Sequence, residues 1–295
     1  MTLTGAFPQP PASLDAQALV QWAVVAFGDE LALACSAGVE DSVLVHLAAQ
    51  TGHAVRVFML DTGRLHPETH ETFERLRLRY PKLRFEVFSP DGLEVEALVN
   101  EQGLFGFREG LNQRHACCEV RKLRPLKRAL AGSRAWLTGL RREQSPTRAD
   151  LQPTDVDGGS PVRLKIAPLL DWDAEQLWAF AKAHQIPTHP LHEAGFPSIG
   201  CAPCTRAIAP GEDLRAGRWW WELPEHKECG LHNRVGMNEG GPPSRLAPSP
   251  AIADSTGACS RAHAGAELEP LSPLMLPRAV TGQSPDTTPH AKQTS

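Results

Sequence analysis

The sequence predicts an α/β fold in which an open, mostly parallel sheet is flanked by helices. Short apolar, β-branched runs alternate with amphipathic helical stretches, which is the pattern of βαβ units. A hydrophobic fraction of 41% in 295 residues supplies enough apolar mass for a core. The charged fraction of 22% is that of an ordinary globular protein. We therefore expect one α/β domain and not a fibrous or wholly disordered chain.

The first part of the pattern predicts three strands and two helices. A strand over 30–36 precedes a helix over 41–50. A second strand follows over 53–62, and the helix over 67–79 begins with a proline, which the first turn of a helix accepts. The third strand lies over 84–90. Each strand is short and apolar, as expected for a sheet that helices cover on both faces.

The second part predicts two more strands and two more helices. A helix over 118–130 leads to a fourth strand over 133–140, and a fifth strand lies over 165–172. A helix then runs to residue 185, with Asp173 as its N-cap. In open sheets of this kind, ligands bind at the carboxyl ends of the strands. The turns that follow the strands are therefore the first places to look for a site.

The chain divides into a folded unit and two extensions. Residues 234–295 contain 9 of the 26 prolines and no Phe, Trp or Tyr. Such a segment buries too little apolar surface to offset the entropy of ordering, so we expect it to be a disordered tail. Residues 1–13 are expected to form a flexible arm. The catalytic or binding unit should then span 14–233.

Charge and cysteine content exclude several classes of protein. A net charge of -4 argues against a protein that coats nucleic acid by bulk charge. No apolar run is long enough for a membrane span, and the first residues lack the pattern of a secretory signal. Seven is an odd number for a disulfide framework, and four of the cysteines form an adjacent pair and a CxxC pair, which suits metal or redox chemistry in a reducing compartment. We expect a cytoplasmic protein with no nucleic-acid partner.

The turn after the first predicted strand carries small and hydroxyl residues at the start of a helix. Free N–H groups at such a position face an anion, Gly38 allows close backbone approach, and Ser36 and Ser42 offer hydroxyl donors. The turn therefore predicts a phosphate cradle. An ordinary tight turn with a capped helix explains the same residues equally well.

Four cysteines form the strongest chemical signal. Cys117 and Cys118 are adjacent, and Cys201 and Cys204 form a CxxC pair. Four thiolates can complete a zinc shell or hold an iron–sulfur cluster, and the spacing suits both. Adjacent residues on a helix point about 100° apart, so we expect the tandem pair at a bent helix start. Four unligated thiols remain the simplest alternative.

The remaining cysteines differ in their surroundings. Cys35 lies in the first apolar strand and is expected to be a buried, inert thiol. Cys229 lies among charged and glycine residues that suggest exposure, and neighbouring Lys227 and His232 favour the thiolate. It is the candidate nucleophile, whereas a plain surface thiol is the alternative. Cys259 in the tail has no expected role.

The glycine turn resembles a known nucleotide-binding loop. Residues 36–42 read SAGVEDS and resemble the PP-loop of the adenine nucleotide α-hydrolase-like superfamily, usually SGGxDS. Ala37 replaces a glycine, and Glu40 stands where ATP-using members often have a lysine. A carboxylate at this position disfavours a triphosphate. The variant is similar to that of the sulfonucleotide reductases.

Several longer segments extend the resemblance over residues 14–232. They are CCEVRK, CAPC, LDTGRLHPET, GLRREQSPTR and RAGRWWWELPEHKECGLH. Together they resemble the assimilatory adenylylsulfate (APS) reductases of the bacterial type, within the PAPS/APS reductase family. The related PAPS reductases lack the four-cysteine set, so the resemblance is to the APS reductases.

The resemblance implies a chemistry and its partners. It implies one 4Fe-4S cluster on Cys117, Cys118, Cys201 and Cys204, and attack of Cys229 on the sulfate of APS to leave an S-sulfocysteine. Thioredoxin would then release sulfite by thiol exchange. The family tends toward homo-oligomers, which makes a homo-oligomer an expectation here.

The expected substrate site combines the strand ends with residues in the family motifs. The resemblance places Lys122 between cluster and substrate and implies that Arg215 and Arg218, which would share a helical face, clamp the phosphosulfate. Arg148 is expected to pack or to start a helix, and at least two of Trp219, Trp220 and Trp221 are expected to pack. The full set is Ser36, Gly38, Asp41, Ser42, Leu60, Thr62, Gly63, Arg64, Arg121, Lys122, Gly139, Arg141, Gln144, Arg215, Arg218 and His232.

Three other functions fit parts of the sequence. A PAPS reductase shares the fold and differs in the residues that contact the 3′-phosphate of PAPS. A PP-loop ATP pyrophosphatase with a four-cysteine zinc site explains the cysteines, but Glu40 disfavours it. A non-catalytic metal-binding module leaves the GLRREQS and ECGLH segments unexplained. His66 and His70 resemble a metal pair but lack an acidic partner in the sequence, so we expect surface histidines.

Overall fold

The computed structural model describes residues 7–145, 148–157 and 161–223. Six strands form one sheet in the order β3-β2-β1-β4-β6-β5, and all neighbours are parallel except β5 and β6. This confirms the α/β class with an open, mostly parallel sheet. The strands are β1 Leu31–Ala34, β2 Arg56–Leu60, β3 Arg84–Phe88, β4 Ala135–Leu137, β5 Thr154–Asp157 and β6 Arg163–Ile166.

The helices cover both faces of this sheet. Two of them, α1 and α4, were not expected from the sequence. Of the helix that was expected over 118–130, the second half is α6, and the first half is a π-helical turn over Glu119–Leu123 that joins α6 to the preceding helix α5. The helices are α1 Ala16–Phe27, α2 Val39–Gln50, α3 Pro67–Arg79, α4 Gly92–Gln102, α5 Leu111–Cys118, α6 Arg124–Ala129 and α7 Ala174–Ala183.

The edge of the sheet differs from the expectation. The strand expected over 165–172 is β6, which ends at Ile166, and the next residues form turns. An antiparallel strand, β5, covers the outer side of β6 and was missed. Its TDVD sequence is polar and only half-buried, so it lacks the apolar signal of the central strands.

The core lies on both faces of the central strands. Alternate residues of β1, β2 and β4 point to opposite faces, as strand geometry requires. Leu33, Val57 and Leu137 face the larger core with α1, α2 and α7. Phe58 and Trp136 face the smaller core with the end of α6. These paired cores hold the strand ends in fixed positions.

The outer parts of the chain add two observations. Phe7, in the segment expected to be a flexible arm, packs against the larger core. The tail expected over 234–295 lies outside the described residues. Among the helices of the described residues, none is long and apolar enough to cross a membrane.

Candidate active site

A cavity of about 210 Å³ opens at the carboxyl ends of β1, β2 and β4. The β1–α2 turn and the loop after β4 form one side, and the segments after residue 198 form the other. This is the edge where open parallel sheets bind ligands. The structure brings eight of the expected residues to this cavity: Ser36, Asp41, Leu60, Lys122, Gly139, Gln144, Arg215 and Arg218.

The β1–α2 turn is held by its own hydrogen bonds. The backbone N–H and the hydroxyl of Ser36 both donate to Asp41 Oδ2 at 2.6 Å. Ala37 has a positive φ of 62°, a conformation that glycine adopts more readily, and it stores strain at the site. Gly38 is the N-cap of α2, while Ser42 is fully buried. The turn is therefore preformed.

Asp41 is half-buried beneath this turn. Burial raises the pKa of its carboxyl to about 6, although hydrogen bonds from Ser36 and the backbone of Gly139 oppose the shift. A side chain at Gly139 would collide with the Asp41 carboxylate and approach Glu40 Cβ at 2.7 Å. Glycine at the end of β4 therefore lets the two strand-end turns pack together.

Glu40 is tied to the loop after β4. Its Oε1 lies 3.1 Å from Arg141 Nη2 and accepts a hydrogen bond from Gln144 Nε2 at 3.0 Å. Arg141 also pairs with Glu143 at 2.6 Å. Arg141 therefore faces two carboxylates beside a second cavity of about 110 Å³, and it does not line the main cavity. The same second cavity is lined by Gly38, Ser36 and Arg215.

Arg148 is a cavity residue that the sequence reasoning missed. It was expected to serve packing or a helix start, but it is buried, lines the main cavity and donates to Gln144 Oε1. Its position in the GLRREQSPTR segment, four residues after Gln144, was the available signal. A basic side chain here faces the same space as Arg215 and Arg218.

Arg215 and Arg218 do not lie on a helix, which corrects the expected helical face. They lie in turns, and Arg218 forms a β-bridge with Thr205. The Arg218 guanidinium lies 4.6 Å over the Trp219 ring and donates to Ile199 O at 3.2 Å. Packing against the ring and the loop, not helical spacing, turns Arg218 toward the cavity.

The tandem cysteines lie at the end of a helix and not at its start. Cys117 and Cys118 end α5, and the π-helical turn that follows widens the backbone after them. With Cys201 and Cys204 they line a separate small cavity of about 20 Å³. The CxxC pair lies on the short 3-10 turn Ala202–Cys204 and the residue before it.

Basic and hydroxyl groups surround these thiols. Thr62 Oγ1 lies 3.2 Å from Cys201 Sγ, and Arg121 Nη1 donates to Thr62 O at 2.7 Å. Burial raises the pKa of Cys117, while Arg64 and Arg121 oppose the rise. Burial and the neighbouring thiols raise the pKa of Cys204 to about 12. Among the described residues, no group of three or more His, Cys, Asp or Glu side chains is arranged to hold a metal ion.

The residues after β2 lie closer to the cysteine cavity than to the main cavity. Leu60 lines the main cavity, but Arg64 and Arg121 line only the cavity of the thiols. Gly63 adopts a positive φ of 69° and passes close to the Arg121 guanidinium. Thr62, Gly63 and Arg64, which belong to the expected substrate set, do not line the main cavity.

Three side chains line both cavities: Lys122, Arg218 and Trp219. Lys122 follows the tandem cysteines in the π-helical turn, which turns it between the two sites. A cation here adds positive potential to both cavities. The candidate nucleophile Cys229 and His232 lie outside the described residues.

The remaining expectations have clear outcomes. Cys35 is buried, and its pKa is strongly raised by burial and by Asp41, as expected of an inert thiol. His70 pairs with Asp61 at 3.1 Å, an acidic partner that the sequence reasoning did not find. Trp219 is buried, whereas Trp220 is 38% exposed.

The phosphoadenosine phosphosulfate reductase domain model matches residues 30–207, which span β1 through the CxxC turn. The chain belongs to this family. It is 52% identical over 206 residues to the adenosine 5'-phosphosulfate reductase of Allochromatium vinosum, covering 70% of this chain and 80% of that protein. It is 48% identical over 212 residues to the protein of the same name from Pseudomonas aeruginosa strain LESB58, covering 70% and 78%.

The fold of this phosphoadenosine phosphosulfate reductase family member also matches a solved structure. The phosphoadenylyl-sulfate reductase from Candida auris, solved as a phosphate complex, superposes with a TM-score of 0.56 at 26% identity. The match covers 66% of this chain and 91% of that one. These comparisons confirm the family and the fold that the residue motifs indicated.

Proposed function

We propose that this protein reduces adenylylsulfate to sulfite and AMP in the assimilation of sulfate. The observation that carries this proposal is the pair of adjoining cavities, one lined by arginines at the strand ends and the other by four thiols, with Lys122 and Arg218 lining both. The relatives named adenosine 5'-phosphosulfate reductase support the same substrate.

The main cavity fits the two chemically different parts of the nucleotide. Leu60, Leu126 and Phe58 give an apolar wall for the adenine ring. Arg148, Arg215 and Arg218 offer charge-assisted hydrogen bonds for the phosphosulfate. The local cluster of cations compensates for the negative net charge of the chain.

The first chemical step takes place at the sulfur atom of the substrate. The Cys229 thiolate donates an electron pair to the sulfur of APS and forms an S–S bond. The bond between that sulfur and the bridging oxygen breaks, and its electron pair stays with the phosphate of AMP. Arg148, Arg215 and Arg218 stabilise the charge that the phosphate gains. The product is S-sulfocysteine.

The second step needs an external dithiol, for which we propose thioredoxin. One of its thiolates attacks Cys229 Sγ, and the sulfonate leaves as sulfite with the electron pair of the S–S bond. The second thiolate of the dithiol then resolves the mixed disulfide and restores the Cys229 thiolate. The dithiol loses two electrons, which reduce the sulfur of the substrate. Thiol exchange of this kind suits a reducing compartment such as the cytoplasm.

We propose that the four thiols bind an iron–sulfur cluster, on the chemistry of the donor set alone. Cys117, Cys118, Cys201 and Cys204 supply a complete set of ligands around one cavity, and the cations that line it compensate for the charge of a thiolate cluster. A 4Fe-4S cluster held by these thiols would supply a fixed charge next to the cations that line both cavities. Lys122 lies between the two cavities and orients the substrate from that side.

The cluster can be tested separately from turnover. Cys204→Ser should lose most of the iron, acid-labile sulfide and visible absorbance of the anaerobically purified protein. Cys35→Ser is the matched control because Cys35 is a buried thiol of the main cavity, and it should keep them. A Cys204→Ser protein with full iron content would refute the ligand assignment.

The reaction can be tested by mass spectrometry without the reductant. Protein mixed with APS should carry one sulfonate on Cys229, whereas Cys229→Ser should carry none. PAPS in place of APS should react more slowly. Equal rates with both nucleotides would mean that the substrate is the wider class of sulfonucleotides and not APS alone. The absence of an adduct with either nucleotide would reject the proposal.

A further inference from the structure

Four aromatic rings surround the Arg108 guanidinium, and two of them, Phe105 and Trp220, are exposed. Each ring centroid lies between 5.4 and 5.7 Å from the guanidinium carbon. The rings are those of Phe105, Phe107, Trp220 and Trp221. Phe105 is 62% exposed, as is its neighbour Leu104, and Trp220 is 38% exposed. We call Leu104, Phe105, Arg108 and Trp220 the aromatic patch.

The aromatic patch is fixed to the wall of the cysteine cavity. Arg108 Nη2 donates to Pro203 O at 3.1 Å, within the CxxC turn. Arg64 Nη2 donates to Leu104 O at 2.7 Å, and Arg64 itself lines the cavity. Phe107 is buried beneath the patch and lines the same cavity. The exposed rings therefore stand on a supported surface and not on a loose loop.

The aromatic patch is also close in the chain to the candidate nucleophile. Leu223 is the last residue of the described range and is exposed, and Cys229 follows it by six residues. Six residues of extended chain span at most about 20 Å. A protein that attacks the sulfur of Cys229 must therefore work within that distance of the end of this segment, beside Trp220.

We infer that the aromatic patch is the docking surface for the dithiol protein that discharges Cys229, and this inference rests on the proposed function. The patch has the composition of an interface hot spot, with an arginine, a tryptophan and a phenylalanine grouped together. A transient redox encounter needs only a small interface of this kind. Other exposed apolar residues, such as Val25 on α1, Leu78 on α3 and Leu93 on α4, lie on separate helices.

The test separates docking from chemistry. Phe105→Ala, Trp220→Ala and the double variant are compared with Leu78→Ala, which removes an exposed side chain from α3. Three rates are measured on the full chain: sulfonation of Cys229 by APS, discharge of the adduct by thioredoxin, and its discharge by dithiothreitol. The double variant should lower kcat/KM for thioredoxin at least 10-fold. Sulfonation and discharge by dithiothreitol should match those of wild type and Leu78→Ala.

Four outcomes would overturn the inference. If wild type forms no adduct on Cys229, the proposed function and this docking role both fall. If the adduct forms and the double variant discharges it to thioredoxin as fast as wild type, only the docking role falls. A change in subunit number by light scattering would assign the patch to a contact between copies. A kcat/KM for thioredoxin that rises in the double variant would instead indicate that the aromatic patch binds another segment of this chain.

Discussion

Arg114 and Glu222 form an ion pair that is almost closed to solvent. Arg114 Nε lies 2.7 Å from Glu222 Oε1, and the two side chains are 1% and 8% exposed. The Arg114 guanidinium also lies 4.6 Å over the Trp219 ring. The pair joins α5, just before the tandem cysteines, to the last turn of the described chain. It therefore fixes the start of the segment that leads to Cys229.

Glu222→Gln should destabilise the protein by about 3–5 kcal/mol, because it leaves the Arg114 charge buried without its counter-ion. The measurement is the free energy of unfolding in urea. Glu212→Gln is the control, since its partner Arg206 is 40% exposed and such pairs contribute no more than about 1 kcal/mol. Equal effects of the two substitutions would contradict the structural importance of the buried pair.

Arg148→Ala should weaken binding of APS and AMP by about 10- to 100-fold. Hydrogen bonds to charged groups contribute about 1.5–3 kcal/mol, and each 1.4 kcal/mol is a factor of about ten. Titration calorimetry on unreacted protein measures the effect. Arg134→Ala, at the opposite end of β4, should bind as wild type does, because Arg134 pairs with Glu30 far from the cavity. Unchanged binding by Arg148→Ala would remove Arg148 from the site.

Glu40→Gln should strengthen the competition of ATP against APS about 10-fold more than it strengthens the competition of AMP against APS. The substitution removes a carboxylate beside the phosphate turn and leaves Arg141 available to a phosphate. Competition against APS binding measures the ratio. Glu143→Gln is the matched control, because Glu143 pairs with the same Arg141 but lines neither cavity. A response to Glu143→Gln as large as that to Glu40→Gln would contradict the argument.

Asp41→Asn should alter how stability depends on pH. The pKa of Asp41 is raised to about 6 from an unfolded value near 4, so the folded state favours the protonated carboxyl. The stability that this preference contributes is complete below the unfolded pKa and is lost as pH rises through 6. The free energy of unfolding of Asp41→Asn minus that of wild type should therefore increase from pH 4 to pH 7. Urea unfolding measures both free energies. A difference that stays constant over this range would contradict the raised pKa.

The sequence predicted the central sheet well because its signal is local. The strands near residues 31, 56, 84 and 135 are short apolar runs bounded by turn residues, and each is present. The edge strand β5 was missed because its residues are polar and half-buried. The interruption after Cys118 was missed because the residues that follow have no helix-breaking type until Pro125.

The sequence predicted which residues lie at the candidate site more reliably than it predicted where their side chains point. Eight expected residues meet at the main cavity, and the four cysteines meet at the small cysteine cavity. Arg141 was expected to bind substrate but faces Glu40 and Glu143. Arg148 was set aside and lies in the cavity. The direction of a long side chain depends on partners that are distant in sequence.

By itself, the sequence determined the α/β class, the glycine turn after the first strand and the two cysteine pairs. These follow from periodicity, turn chemistry and spacing, which act over a few residues. Only the tertiary structure decided which cations serve which cavity. Arg121 binds Thr62 O, a contact across 59 residues, and Arg114 binds Glu222 across 108. Such contacts form only when the packed core brings separate strand ends and loops together, because no local pattern encodes them.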